Sequence, residues 1–92
     1  MTNYAKLGEY TAYKKQAQDA ASVRRSYLTV LSDKASTLRS CSSMPVDSDE
    51  FAGLLEKIQR ADAEMRVALA AANLAAPLCG ENPLEYKTFE LL

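Results

Sequence analysis

Apolar residues recur at seven-residue intervals in the second half of the chain, and this repeat constrains the fold more than any other feature. Phe51, Ile58, Met65 and Ala72 form the repeat, and leucines and alanines fill the three- and four-residue steps between them. A helix that carries such a stripe must pack it against a partner helix. The pattern therefore predicts a helix over about 48–76, with its partner elsewhere in the chain.

The first half of the chain supplies that partner as one long helix, which we predict over about 3–42. The turn at about 43–47 is marked by Pro45, and Asp47 with Glu50 three residues later is typical of a helix N-cap. The chain has only three glycines and three prolines and lacks an alternating β-branched run, which argues against a sheet. A short connection makes the two helices antiparallel neighbours.

A second helix-start signal lies near the C-terminus, where Asn82 precedes Pro83 and an acidic residue follows at Glu85. It predicts a short third helix over about 83–91. Because the first helix is longer than the second, we expect the third to pack on the N-terminal end of the first. The predicted fold is thus a single all-α domain over residues 1–92: a long, coiled-coil-like antiparallel hairpin with a short third helix.

Charge is distributed unevenly along the chain, although the formal net charge is only -1. Residues 1–43 carry seven basic and three acidic side chains, whereas residues 44–92 carry four basic and nine acidic ones. The simplest interpretation is that the two oppositely charged helices attract each other. The sequence lacks an apolar run near the roughly 20 residues that span a bilayer, and it has no N-terminal leader pattern. We therefore expect a cytoplasmic protein that has no contact with a membrane.

The residue pattern favours a protein that is not an enzyme and binds no metal or cofactor. The chain has no histidine, so the usual base for a serine or cysteine nucleophile is missing. The same absence removes the usual nitrogen ligand of zinc and haem. Cys41 and Cys79 do not have the spacing of a metal site or a disulfide framework.

The second helix has a further apolar face, well away from its seven-residue stripe. A helix that is apolar on two faces is buried on two sides. We expect this face to serve self-association into a homodimer or contact with another protein. Its members lie within about 60° of one another on a helical projection: Ala52, Ala63, Val67, Ala70 and Leu74.

Three further sets of residues are candidates for a role. An ion pair between Arg24 and Asp62 is expected within the seam, where it would fix the register of the helices rather than add stability. An aromatic patch is expected at the end where the first helix extends beyond the second: Tyr4, Tyr10, Tyr13 and Phe89. A basic stripe on the first helix could follow a phosphate backbone, although a solvated face is the favoured interpretation: Lys14, Lys15, Arg25 and Arg39.

Helical hairpins of this length resemble the WXG100 secretion substrates and the needle subunits of type III secretion systems. The first family needs a Trp-X-Gly turn, and this chain has no tryptophan and reads Ser-Met-Pro-Val-Asp at its turn. The second has an aromatic N-terminal segment that is not matched here, so both are excluded. In overall make-up, rather than by a motif, the chain is similar to small helical proteins of temperate bacteriophages, which implies an accessory protein.

The predicted function is a non-catalytic protein–protein interaction module. We expect a homodimer that scaffolds, modulates or inhibits a partner protein whose identity the sequence does not give. The alternative is a nucleic-acid-binding accessory protein that uses the basic stripe, although nucleic acid is the less favoured partner.

Overall fold

A computed structural model describes residues 3–89 of the chain. Helix α1 spans Tyr4–Ser40 and helix α2 spans Ser48–Ala75. A 3₁₀ turn at Ala76–Leu78 continues α2, and a second 3₁₀ turn lies at Tyr86–Phe89. The described part of the chain contains no strand, so the protein is all-helical and consists of two packed helices with short 3₁₀ turns.

Both long helices begin at a residue whose side chain caps them. The Asn3 side-chain oxygen accepts a hydrogen bond from the Lys6 amide at 3.2 Å. Asp47 Oδ1 accepts from the amides of Asp49 and Glu50, each at 3.1 Å. These bonds satisfy amides that have no partner inside the helix. The Glu50 side chain does not complete a capping box, because its carboxylate pairs with Lys34 of α1.

The two helices lie antiparallel along their whole common length. Lys34 pairs with Glu50 near the connection, and Arg24 pairs with Asp62 in the middle. At the far end, Tyr10 packs in one cluster with residues that close α2. The molecule measures 65 × 25 × 13 Å and has a radius of gyration of 17.7 Å, against about 12 Å for a compact domain of this length. It is therefore a rod rather than a globule.

Alanines dominate the contact between the helices. Ala17, Ala72 and Ala76 are completely buried, and Ile58 and Met65 are among the larger side chains buried on α2. Because alanine extends only one carbon from the backbone, the two helices can approach closely. Each alanine also removes little apolar area from water, so a seam of this kind stabilises the fold less per residue than one of leucines.

The C-terminal segment, residues 81–89, differs from the prediction. The sequence predicts a helix over about 83–91, but residues 81–85 have no regular secondary structure and Tyr86–Phe89 form a 3₁₀ turn; residues 90 and 91 lie outside the described part of the chain. The reason is that Asn73 of α2 binds both main-chain groups of Leu84. The Leu84 amide donates to Asn73 Oδ1 at 2.6 Å, and Asn73 Nδ2 donates to the Leu84 carbonyl at 3.0 Å.

The same segment follows the groove between the helices instead of covering only one end. Leu84 packs against the cluster that contains Tyr10, near the start of α1, as expected for a third element. Phe89 packs further along, against Ala20, Ala21 and Met65. The C-terminal segment therefore covers one side of the helix pair and leaves the others open.

Candidate interaction surfaces

The outer face of α2, which we define as Ala63, Val67, Ala70 and Leu74, is exposed along its whole length. Val67 is 71% exposed and Leu74 is 77% exposed. The face points away from α1, because the buried side chains of α2 lie about half a helical turn from it. The C-terminal segment does not cover it either, since that segment contacts α2 through Asn73 and Arg66.

Ala52 is also exposed, but it stands apart from the outer face. Glu56 and Gln59 lie between Ala52 and Ala63 on the same side of the helix, and both are exposed. Charged and polar side chains therefore interrupt the apolar surface after its first residue. The continuous apolar surface occupies the C-terminal half of α2.

A groove of about 660 Å³ joins the outer face to α1. Val67 and Ala63 line it from α2, whereas Tyr13, Ala20 and Val23 line it from α1. Val23 is itself 46% exposed. The groove thus extends the apolar surface around one flank of the molecule, on which Asp19, Arg60 and Glu64 supply charges.

The four residues of the predicted aromatic patch do not come together. Tyr4 is 80% exposed, whereas Tyr10 is buried among Ala72, Ala75 and Ala76. Tyr13 is half-buried against that cluster, and Phe89 lies about 15 Å further along α1, beside Ala21. The reason is the path of the C-terminal segment, which carries Phe89 away from that end of the rod and toward its middle.

Burial also changes the chemistry of Tyr10. The loss of solvent around its hydroxyl raises the pKa of Tyr10 above the ordinary 10.0, and the charges of Glu81 and Cys79 raise it further. The neutral phenol is therefore the form that the fold accommodates. Tyr10 belongs to the core and cannot offer its ring to a partner.

The basic stripe of α1 is not a continuous track. Lys14 lies over the ring of Tyr10, 6.0 Å from its centroid, and Lys15 pairs with Asp19 at 3.2 Å. Arg25 donates to the carbonyl of Phe89, so the C-terminal segment crosses the stripe there. Arg39 is exposed near the end of α1. This arrangement does not favour binding along a phosphate backbone.

The structure brings Arg24 and Asp62 together, with Arg24 Nε 3.0 Å from Asp62 Oδ1. Arg66 Nε lies 2.8 Å from the other oxygen of the same carboxylate, Oδ2. The hydrogen bond from Arg66, together with the positive charges of both arginines, holds the pKa of Asp62 below its ordinary 3.8 against an opposing effect of burial. Asp62 therefore stays ionised and fixes the position of two guanidinium groups.

Tyr86 of the C-terminal segment completes this network. Its hydroxyl accepts a hydrogen bond from Arg66 Nη1 at 3.2 Å, and its ring lies 5.0 Å below the same guanidinium. The contacts raise the pKa of Arg66, chiefly through Asp62. Arg66 is consequently held from two sides, by a carboxylate and by an aromatic ring.

Arg24, Arg25 and Arg66 line a second groove, of about 560 Å³, which we call the arginine groove. Ala21, Leu28, Met65 and Phe89 supply its apolar walls. The groove could not be predicted from the sequence, because its three arginines come from two helices and its aromatic wall comes from a segment expected to be helical. The adjacent pair Arg24–Arg25 was the only local signal.

The cysteines lie at opposite ends of the molecule. Cys41 is exposed beside the connection, and Cys79 is buried after α2, where its thiol donates to the Ala76 carbonyl at 3.4 Å. Residues 3–89 contain no group of three or more acidic or cysteine side chains placed to hold a metal ion. Over the same range, every helix is too short or too polar to cross a bilayer.

Comparisons of the chain with protein-family models, with curated proteins and with solved structures give no match. The candidate surfaces must therefore be interpreted from their own geometry and chemistry.

Proposed function

We propose that the protein is a non-catalytic protein–protein interaction module, a coiled-coil-like helical hairpin that forms a homodimer and modulates or scaffolds a partner protein. One observation carries this proposal: the outer face of α2 is apolar, continuous and exposed. Monomeric proteins often expose single apolar side chains, whereas a contiguous apolar surface is typical of an interaction site.

The surface area of the molecule supports the same proposal. The chain exposes 6656 Å², whereas a compact monomer of its mass would expose about 5300 Å². The rod shape and the alanine seam account for the excess. Short chains with small cores often bury additional area by association with a second copy.

The spacing of the outer face is compatible with a second copy of itself. Its residues follow steps of four, three and four, as in a coiled-coil seam. If two copies of α2 pack antiparallel about a twofold axis, Ala63 faces Leu74 of the other copy and Val67 faces its Ala70. A small side chain then meets a large one at each position, which lets the surfaces interdigitate.

The expected affinity is modest. Full burial of an exposed valine or leucine side chain contributes about 1.5–3 kcal/mol. Val67 and Leu74 are 71% and 77% exposed, so the four side chains of a dimer together contribute about 4–9 kcal/mol. Association costs at least about 4 kcal/mol in lost freedom. Because the gain exceeds the cost by at most about 5 kcal/mol, we expect a weak dimer that dissociates at hundreds of micromolar rather than at nanomolar concentration.

The test compares two valine-to-glutamate substitutions at equally exposed sites. Val67→Glu places a charge in the outer face, whereas Val46→Glu places it in the connection, where the valine is 69% exposed. We expect Val67→Glu to be monomeric and Val46→Glu to be dimeric by sedimentation velocity, with equal helix content by circular dichroism. Equal masses for the two variants would contradict the assignment of the surface.

A further inference from the structure

The arginine groove combines positive charge with apolar walls. Arg24, Arg25 and Arg66 lie on one side of the helix pair, around the apolar side chains of Met65 and Phe89. A groove of about 560 Å³ lies within the range of ligand sites, which is about 300–1,000 Å³. It is separate from the outer face of α2, which points to another side of the molecule.

The guanidinium groups are held in place and still have donors to offer. Each arginine has five N–H donors. The contacts described above use one donor of Arg24, one of Arg25 and two of Arg66. These contacts orient the planar guanidinium groups in advance. The arginine side chains would therefore lose less conformational freedom when a carboxylate binds to them.

Among residues 3–89, positive charge exceeds negative charge at this place. Asp62 is shared between Arg24 and Arg66, and Arg25 is bound to a carbonyl rather than to an acid. Asp33 is the acidic residue among those that line the groove, and it lies eight positions beyond Arg25, or about 12 Å along α1. That distance exceeds the screening length of about 8 Å at physiological salt, so Asp33 does not neutralise the arginines.

The C-terminal segment indicates the kind of ligand that this side of the molecule accommodates. It is a stretch of polypeptide outside the long helices, and its apolar side chains, Leu84 and Phe89, pack between them. Polar side chains of the helices, those of Asn73 and Arg25, bind its main-chain groups. The helix pair thus already binds one short peptide segment of its own chain, with side chains that recognise the main chain.

We propose that the arginine groove binds a short acidic segment of a partner protein, with a carboxylate at the arginines and an apolar side chain against Leu28 and Phe89. This inference rests on the proposed function for its choice of a protein ligand. A polypeptide is favoured over a nucleic acid because the walls are apolar and the stripe of α1 is interrupted at Arg25. It does not require the dimer.

The test uses the full chain and two fluorescein-labelled, end-capped octapeptides. One carries three glutamates and two leucines among serines, and the other has glutamine in place of each glutamate. We expect the acidic peptide to bind at least about tenfold more tightly in fluorescence anisotropy titrations, since hydrogen bonds between charged groups are the stronger kind. We also expect its binding to weaken as salt is added.

Variants locate the site. Arg66→Gln and Arg25→Gln should each weaken binding of the acidic peptide about tenfold. The matched control is Arg60→Gln, which removes the same charge from an exposed arginine outside the groove. Because Arg25→Gln also loosens Phe89, Arg66→Gln is the decisive variant, and circular dichroism verifies that both remain folded.

Several results would overturn the proposal. These are equal binding of the two peptides, no binding of the acidic peptide, or an equal loss in Arg60→Gln and Arg66→Gln. Tighter binding of an eight-residue oligothymidylate would assign the groove to phosphate instead. Val67→Glu should bind the acidic peptide as the unmodified chain does, so a failure of the dimer and a failure of the groove are distinguishable.

Discussion

The hydrogen bonds between Asn73 and Leu84 hold the C-terminal segment against α2, and Asn73→Ala should release it. The substitution removes one acceptor and one donor, at 2.6 and 3.0 Å from the main chain of Leu84. A hydrogen bond of this kind contributes about 1 kcal/mol net, so the segment should lose about 2 kcal/mol of local stability. The contact of α1 with α2 does not depend on these bonds, so the helices should stay folded.

Hydrogen exchange measures this effect directly. A loss of about 2 kcal/mol corresponds to roughly 30-fold faster exchange of the Leu84 amide, because exchange follows the free energy of local opening. The amides of α2 around Ala68 should change much less. The control is Gln59→Ala, which removes an exposed amide side chain from the same helix. An unchanged exchange rate at Leu84 in Asn73→Ala would refute the role assigned to the clamp.

Three further predictions concern the seam and its charges. Ala72→Leu should destabilise the fold by about 1–3 kcal/mol in urea denaturation, because Ala72 is completely buried between the helices, whereas Ala12→Leu on the exposed side of α1 should not. The pKa of the Asp62 carboxyl group is lowered on folding, so the contribution of Asp62 to stability is present above pH 4 and is lost as the pH falls through the folded pKa. Asp62→Asn should therefore reduce the loss of stability between pH 7 and pH 3. Because burial raises the pKa of Tyr10, the absorbance titration at 295 nm should contain a component above pH 10 that Tyr10→Phe removes. The stability due to the neutral Tyr10 hydroxyl should be lost as the pH rises through this raised pKa.

The long helices could be predicted because their signals are local. The seven-residue stripe of α2 contains Ile58, Met65 and Ala72, all of which are buried against α1. Asp47 caps α2 because a short acidic side chain at that position reaches the next amides without help from the rest of the chain. Helix periodicity and capping depend on neighbours in sequence, so the sequence carries them in full.

The C-terminal segment could not be predicted in the same way. Its start signal at Asn82 and Pro83 is a local preference, and Asn73 overrides it by binding Leu84 from another element. A polar residue in the alanine-rich end of α2 was the available clue, but the clue does not identify its partner. The aromatic patch and the arginine groove depend on the same path of the chain, so they could be located only from the structure.

The outer face of α2 had a different outcome. Its periodicity placed Val67 and Leu74 on one side of the helix, and the structure leaves both exposed. Self-association of the chain would cover both side chains.

The most direct test of the central proposal is the solution mass of the unmodified chain, measured by light scattering from about 1 to 500 μM. We expect the mass to rise from that of a 10.1 kDa monomer toward twice that value, with the midpoint at hundreds of micromolar. A constant mass of 10.1 kDa up to the highest concentration would contradict self-association through the outer face of α2.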